Sequence, residues 1–171
     1  MKGKPTAVLA DLDSTLADTR QRWPLSPMVN PDTTWADYSA ACAGDVPLHG
    51  PIAVLRLLWP HHEIHIVSGS NASARPHREA WLDRHQVPYD YLRLRGDTEE
   101  EIPNEGIKTG YVGWLRYRGT EPVLFLEDWA PAAAAIWEAT RVPVLGVNPF
   151  YPEDLIALQQ AKVADGVGGG L

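Results

Sequence analysis

Two carboxylates, Asp11 and Asp13, lie two residues apart directly after a short apolar run in this chain of 171 residues. In extended backbone, side chains at this spacing point to the same side, so both carboxylates face one way and Leu12 faces the other. Like charges this close repel, and the pair therefore needs a cation or a shared proton. Such a pair suits phosphoryl transfer, because one carboxylate can attack phosphorus while the other protonates the leaving alkoxide and later deprotonates water.

The apolar run itself, residues 7–10, has no polar alternation and predicts a strand that is buried on both faces. In an open α/β sheet the ligand crevice lies beyond the carboxyl ends of the strands, where Asp11 and Asp13 would stand. Mg²⁺ bound there would hold the attacking carboxylate and the phosphate oxygens together and absorb charge. A strand-to-helix loop with acidic capping residues is the plainer interpretation of the same segment.

Polar groups suited to a phosphate site also occur further along the chain. Ser68 precedes Gly69 at a predicted strand end and could bind a phosphate oxygen, although a plain Ser-Gly turn fits as well. Lys108, near a predicted helix start, could neutralise the nucleophile and the phosphate, although most lysines are surface residues. Glu127 and Asp128 could bind magnesium, one directly and one through water, or cap the following helix.

Apolar runs alternate with helical segments along most of the chain. The predicted strands cover residues 7–10, 63–67, 88–94, 122–126 and 142–147. The predicted helices cover residues 51–59, 74–85, 106–117, 131–140 and 153–162. This alternation predicts a doubly wound, mostly parallel sheet with helices on both faces. Pro143 places the last strand at an edge, and four helical tryptophans are expected to pack on the sheet: Trp59, Trp81, Trp114 and Trp137.

The domain organisation follows from the same pattern. Residues 16–49 lack sustained periodicity apart from a short helical segment at 35–43, and they are too few for an independent core. We expect this stretch to be a small cap insertion over the crevice of one domain that spans residues 1–165. The Gly-rich tail, residues 166–171, is expected to be flexible.

Composition limits the class of partner. The net charge of −7 and the pI near 5.3 argue against broad electrostatic adhesion to nucleic acid or anionic membrane, but not against a local basic patch. No apolar stretch approaches the roughly 20 residues that span a bilayer, so no membrane partner is expected. The single cysteine, Cys42, excludes an intrachain disulfide and suits a reducing cytoplasm.

The order of these groups along the chain resembles that of a known protein family. Asp11-x-Asp13-x-Thr15, then Ser68, then Lys108, then an acidic pair resembles the four-motif layout of the haloacid dehalogenase (HAD) superfamily of phosphohydrolases. The resemblance covers roughly residues 5–150 and implies a Rossmann-like, five-stranded α/β fold with a small cap.

The resemblance also implies roles for particular residues. Asp11 would be the nucleophile and Asp13 the general acid/base. The phosphate would be bound by Lys108 and by a set of polar residues, namely Thr15, Ser68, Gly69, Ser70 and Arg78. Mg²⁺ would be held by Asp11, the Asp13 carbonyl and the acidic pair Glu127-Asp128.

A closer likeness is to the 3′-phosphatase domains of bacteriophage polynucleotide kinase-phosphatases. It rests on the run 66–70, the helix with Arg78 and Trp81, Val87-Pro88 and the segment 96–98. Those domains carry arginine where Ser70 stands, a difference that argues against a polynucleotide substrate. They carry Asp-Asp where this chain has Glu127-Asp128. A kinase half is not expected, because the sequence contains no G-x-x-x-x-G-K-[ST] motif.

Three functions remain open from the sequence. The first is a magnesium-dependent phosphomonoesterase acting on nucleic-acid 3′-phosphate ends or nucleotides. The second is a phosphatase of small phosphometabolites with the same mechanism, and the third is a non-catalytic module that binds phosphate or a partner. Five cationic side chains flank the first two motifs and could contact substrate, although exposed charges are more often only solvated: Arg20, Arg22, Arg75, His77 and Arg78.

Overall fold

A parallel sheet forms the centre of the computed structural model, which describes residues 5–147. Its strands are β1 (Thr6–Ala10), β4 (Glu63–Asn71), β5 (Tyr91–Arg95), β6 (Glu121–Glu127) and β7 (Val144–Gly146). The strand order is β5-β4-β1-β6-β7, and every pairing between neighbours is parallel. Two short strands, β2 (Ala17–Asp18) and β3 (Val46–Pro47), pair antiparallel outside this sheet.

Helices connect the strands and cover both faces. They are α1 (Trp35–Ala40), α2 (His49–Leu58), α3 (Arg75–Arg84), α4 (Asn104–Tyr117) and α5 (Ala130–Thr140), with 3₁₀ turns at Arg20–Leu25, Ala41–Gly44 and Ala72–Ala74. The predicted doubly wound α/β fold, with helices on both faces, is therefore confirmed.

The central strand β1 contributes side chains to two hydrophobic cores. Val8 and Ala10 pack with the buried side chains of α2 and α3. Ala7 and Leu9 face the opposite way and pack with those of α4 and α5. Because both faces of β1 are covered, its sequence is continuously apolar and has no polar alternation. Fully burying a side chain such as Leu9 contributes about 1.5–3 kcal/mol, so this strand is firmly held beneath Asp11.

Two sequence-based expectations need correction. Strand β4 does not end at Val67 but continues to Asn71, so Ser68 and Ser70 lie on the strand and not in a turn. Among the four helical tryptophans only Trp81 is buried, whereas the other three are 41–50 % exposed: Trp59, Trp114 and Trp137. In α5 the apolar contact is made by the fully buried Ile136, and the next residue round the helix points outward.

The insertion after β1 has its own local order. Helix α1 begins at Trp35, and Thr34 caps it: the Thr34 hydroxyl accepts the Asp37 N–H while the Asp37 carboxylate accepts the Thr34 N–H. The helix ends at Ala40, and a 3₁₀ turn continues to Gly44. The β2–β3 pair closes the insertion at its base, so both of its ends return to the sheet beside Asp13.

The predicted helix at 153–162 and the tail at 166–171 lie outside the described residues. Among the helices within residues 5–147, none combines the length and the apolar character needed to cross a bilayer.

Candidate active site

Asp11 stands at the carboxyl end of the central strand. Its backbone N–H donates to the Leu126 carbonyl at 3.0 Å, which anchors it against β6. Its carboxylate is buried, and Lys108 from α4 approaches it with a distance of 3.1 Å between Nζ and Oδ1. Burial raises the pKa of Asp11 well above its ordinary value; Lys108 opposes this rise, and the neighbouring acids add to it.

Lys108 bridges two acids from different strands. Its Nζ also donates to Glu127 Oε2 at 2.6 Å. Burial would lower the pKa of Lys108, but the two carboxylates outweigh burial and raise the pKa above its ordinary value. The lysine is therefore a permanently charged group held against Asp11, as the predicted phosphate-site role requires.

Asp128 follows the end of β6 and is linked to Asp11 through a hydroxyl. Thr15 Oγ1 donates to Asp128 Oδ1 at 2.7 Å and lies 3.4 Å from Asp11 Oδ2. The other oxygen, Asp128 Oδ2, is buried without a hydrogen-bond partner among the described residues. Burial, with a contribution from Glu127, raises the pKa of Asp128 to about 7. An unpaired buried carboxylate oxygen is costly unless something binds it.

These acids form a group that could hold a divalent cation. Ligand oxygens of Asp11, Glu127 and Asp128 all lie within 4.8 Å of one another. Within the group, Glu127 is already engaged, because its Oε1 accepts the Trp129 N–H at 3.2 Å and its Oε2 accepts from Lys108. Asp11 and the unpaired oxygen of Asp128 are thus the better fit to a hard cation that prefers a few carboxylates plus water.

The Asp13 carboxylate is directed elsewhere. Its Oδ1 accepts from Arg22 at 2.5 Å, and its Oδ2 accepts from Arg78 at 2.8 Å and from the Ser70 hydroxyl at 3.1 Å. Burial would raise the pKa of Asp13, but Arg78 and Arg22 outweigh it and lower the pKa to about 2. Its side chain thus lies outside the metal-side group. We call its surroundings the acid/base side of the site, after the role that the resemblance predicts for Asp13.

The residues after Val67 lie at the end of β4, where Ser70 contacts the Asp13 carboxylate. Ser68 Oγ accepts the Ser70 N–H and donates to Ser70 Oγ, both at 3.1 Å. Gly69 is packed so closely that a Cβ there would lie 2.4 Å from Asn104 Oδ1. That Asn104 oxygen is buried and has no partner among residues 5–147. Glycine at position 69 therefore makes room for the Asn104 side chain at the start of α4, the helix that carries Lys108.

Sequence reasoning missed the role of Arg22 and missed Asp45 altogether. The sequence left Arg22 open as a substrate contact or an exposed, solvated charge, yet it is 1 % exposed. Its Nε donates to both Asp45 oxygens at 3.0 Å, its Nη1 donates to the Tyr38 carbonyl at 3.0 Å, and its guanidinium lies 4.2 Å from the Tyr38 ring centroid. These residues lie in the insertion, where no periodicity indicates which side chains point inward.

Sequence comparisons found no relatives. No protein-family model matches the chain, and no curated protein matches it.

Comparison of the fold with solved structures gave several matches. A chain of the Pnkp1/Rnl/Hen1 RNA repair complex superposes with a TM-score of 0.70 at 20 % identity, over 84 % of this chain and 42 % of that one. A haloacid dehalogenase-like family hydrolase from Streptococcus pneumoniae gives 0.58 at 13 % identity, over 91 % of each chain. The class C acid phosphatase from Bacillus anthracis gives 0.59 at 15 % identity, over 96 % of this chain and 80 % of that one.

These likenesses are at the level of the fold, since all three identities are low. The chain spans less than half the length of the matched chain of the RNA repair complex. The predicted resemblance is confirmed: residues 5–147 have the fold of the haloacid dehalogenase-like hydrolases, the Pnkp1-containing complex among its matches.

Proposed function

We propose that the protein is a phosphomonoesterase in which Asp11 is transiently phosphorylated. The observation that carries this proposal is the position of Lys108, whose Nζ lies 3.1 Å from Asp11 Oδ1 in a buried site next to the unpaired oxygen of Asp128. A non-catalytic phosphate-binding module would not need a buried carboxylate at the point where a phosphate anion must approach, because the two would repel.

In the first step the Asp11 carboxylate attacks phosphorus and the ester oxygen departs. The new bond joins an Asp11 oxygen to phosphorus, and the broken bond joins phosphorus to the substrate oxygen, which takes a proton from Asp13. In the second step a water attacks the same phosphorus, gives its proton to Asp13 and releases inorganic phosphate, which restores Asp11.

Asp13 is ionised in the absence of substrate, since Arg22 and Arg78 hold its pKa at about 2. A phosphate group that enters beside Asp13 brings negative charge next to its carboxylate and so raises the pKa of Asp13. The carboxylate can then take up the proton that it delivers to the leaving oxygen.

A divalent cation fits the metal side, where Asp11 and Asp128 would hold it with Glu127 behind them. We propose Mg²⁺ as that cation, since it prefers a few carboxylates and retains bound water. When bound, it would neutralise charge on the phosphate and the attacking carboxylate. The Thr15 hydroxyl holds Asp128 for it, because it donates to Asp128 Oδ1 at 2.7 Å while lying 3.4 Å from Asp11 Oδ2.

We propose nucleic-acid 3′-phosphate ends or nucleotides as the substrate class. Support comes from the fold match to a chain of an RNA repair complex. Further support comes from Arg78, whose Nη2 donates to Ser70 Oγ at 2.6 Å. Helix α3 thus supplies a guanidinium beside Ser70, the position at which the bacteriophage 3′-phosphatase domains carry arginine. Phosphatases of small metabolites share the proposed mechanism and remain the alternative.

A substrate panel tests the proposal. Purified protein with Mg²⁺ is assayed on a 3′-phosphorylated oligonucleotide, a matched 5′-phosphorylated oligonucleotide, nucleotides and sugar phosphates, with Asp11→Asn as the inactive control. We expect the 3′-phosphorylated ends to be hydrolysed fastest. A preference for sugar phosphates would support the metabolite alternative. Wild-type activity no higher than that of Asp11→Asn would reject the proposed phosphatase activity.

A further inference from the structure

Two arginines and two aspartates form a buried cluster around the acid/base side of the site. Arg22 and Arg78 are each 1 % exposed, and the Asp45 side chain is fully buried. Asp13 is the only member of the cluster that reaches the crevice, with a side chain 25 % exposed. The four charges balance, so the loss of one member leaves an uncompensated charge in the interior.

Asp45 is the counter-charge common to both arginines. Its two oxygens accept from Arg22 Nε at 3.0 Å, its Oδ2 lies 2.9 Å from Arg22 Nη2, and the same Oδ2 lies 3.8 Å from Arg78 Nη1. Together with the Tyr38 carbonyl on Nη1, these contacts leave every nitrogen of Arg22 bound. A guanidinium bound at all of its nitrogens has one available orientation.

We infer that Asp45 is a positioning residue for the proposed phosphatase reaction. It locks Arg22 in the one orientation that holds Asp13 Oδ1 and so aims the Asp13 carboxylate at the departing oxygen. This inference rests on the proposed function. Asp45 itself lies behind Arg22, without access to the crevice, so it acts only through the arginine.

Without the charge of Asp45, the cluster carries one excess positive charge and Arg22 loses its bidentate anchor. Both arginines then turn towards the remaining acid, and Asp13 is held more tightly and in a different orientation. Proton delivery to the leaving oxygen suffers most. Attack by Asp11, on the other side of the site, is little affected.

Substrates with different leaving groups distinguish a defect in proton delivery from a defect in attack by Asp11. Nitrophenolate departs without a proton, whereas the alkoxide of a nucleic-acid 3′-phosphate needs one. The test compares kcat/KM for 4-nitrophenyl phosphate and for a 3′-phosphorylated oligonucleotide, because kcat/KM reflects the steps up to loss of the alcohol and not the later attack by water. The variant is Asp45→Asn. The matched control is Asp18→Asn, which breaks the pair between Asp18 and the exposed Arg20 in the same insertion.

We expect Asp45→Asn to lower kcat/KM for the oligonucleotide by about tenfold or more, with less than about a threefold change for the aryl ester. Asp18→Asn should change neither. An equal loss on both substrates, or no loss on either, would overturn the positioning role, since general destabilisation lowers the amount of active protein and affects both alike.

Two further measurements keep the test decisive. If Asp45→Asn does not fold at the assay temperature, Arg22→Lys replaces it, because lysine cannot hold Asp13 and Asp45 in the same fixed orientation, and the same substrate pattern is expected. A crystal structure of the folded variant should show the Asp13 carboxylate turned from its wild-type orientation. An unchanged Asp13 orientation would contradict the inference. Failure of the wild-type protein to hydrolyse either ester is a separate result, and it would reject the proposed function.

Discussion

The Lys108 ammonium lies 3.1 Å from the Asp11 carboxylate, and both side chains are buried. The same ammonium lies 2.6 Å from Glu127, so one cation is shared by an acid that follows β1 and an acid that ends β6. Helix α4, which carries this lysine, contacts β4 at Gly69 through the Asn104 side chain. The pairing therefore links the packing of two strands and a helix to the electrostatics of the candidate nucleophile.

Replacing Lys108 by methionine keeps the volume of the side chain and removes its charge. We expect activity to fall by about 10²-fold or more and stability by about 3–5 kcal/mol, because two buried carboxylates lose their counter-charge. Arg116→Met on the same helix is the matched control, since it breaks a half-exposed pair with Glu121. It should change stability by less than about 1 kcal/mol. Urea denaturation and steady-state kinetics measure both effects.

A second substitution separates the two roles of Lys108. In the double variant Lys108→Met/Glu127→Gln, one of the two uncompensated acids is removed, so much of the stability should return. Activity should not return, because the cation beside Asp11 is still missing. Recovery of activity together with stability would show that Lys108 serves the fold alone.

Metal binding should stabilise the protein through Asp128. We expect EDTA to abolish activity and Mg²⁺ to restore it and to raise the melting temperature of the wild type, as any ligand of the folded state does. Asp128→Asn should lose the Mg²⁺-dependent rise, whereas the surface variant Asp97→Asn should keep it. An equal rise in both variants would show that the cation binds elsewhere.

Gly69 and Asn104 should behave as a coupled pair. A Cβ at position 69 would lie 2.4 Å from Asn104 Oδ1, so Gly69→Ala must displace the asparagine or the helix that carries it. We expect a loss of about 1–3 kcal/mol and a drop in activity as Lys108 moves with α4. Asn104→Ala added to Gly69→Ala should recover about half or more of the lost stability, a coupling that a double-mutant cycle measures. Strict additivity would contradict the close contact.

Stability should fall in mild acid through His65. Burial lowers the pKa of His65, which stacks on Tyr91 at 4.5 Å between ring centroids and contacts the Tyr111 hydroxyl at 2.9 Å. Because the unfolded chain takes up the proton near pH 6.5 and the folded protein only at lower pH, folding is penalised as pH drops through this range. His65→Gln should therefore show a shallower decline in melting temperature from pH 7.5 to 5 than either the wild type or His77→Gln, which alters an exposed histidine.

The metal side of the site could be predicted from the sequence because each of its residues follows a strongly patterned element. Asp11 and Asp128 come directly after continuous apolar strands, and parallel strands bring their carboxyl ends to one edge. Lys108 lies one turn into a helix with a clear apolar face. Topology favoured one edge of the sheet for the two acids, and the order of motifs shared with the haloacid dehalogenase superfamily added Lys108 to them.

The acid/base side could not be predicted in the same way. Arg22 and Asp45 are separated by 23 residues of aperiodic chain, and their pairing depends on how the insertion folds back through β2 and β3. The burial of the helical tryptophans was predicted wrongly for a related reason. On a short helix, one residue is enough to move a side chain from the buried face to the exposed one, as at Ile136 and Trp137.

Direct detection of phosphorylated Asp11 is the sharpest test of the proposed reaction. The measurement uses Asp13→Ala, which lacks the base for water activation, and 4-nitrophenyl phosphate, which needs no acid to release its alcohol. After a rapid acid quench, mass spectrometry of peptides should find one phosphoryl group on Asp11, in proportion to a burst of nitrophenol. A nitrophenol burst with Asp11 unmodified, or with the phosphoryl group on another residue, would contradict the proposed nucleophile.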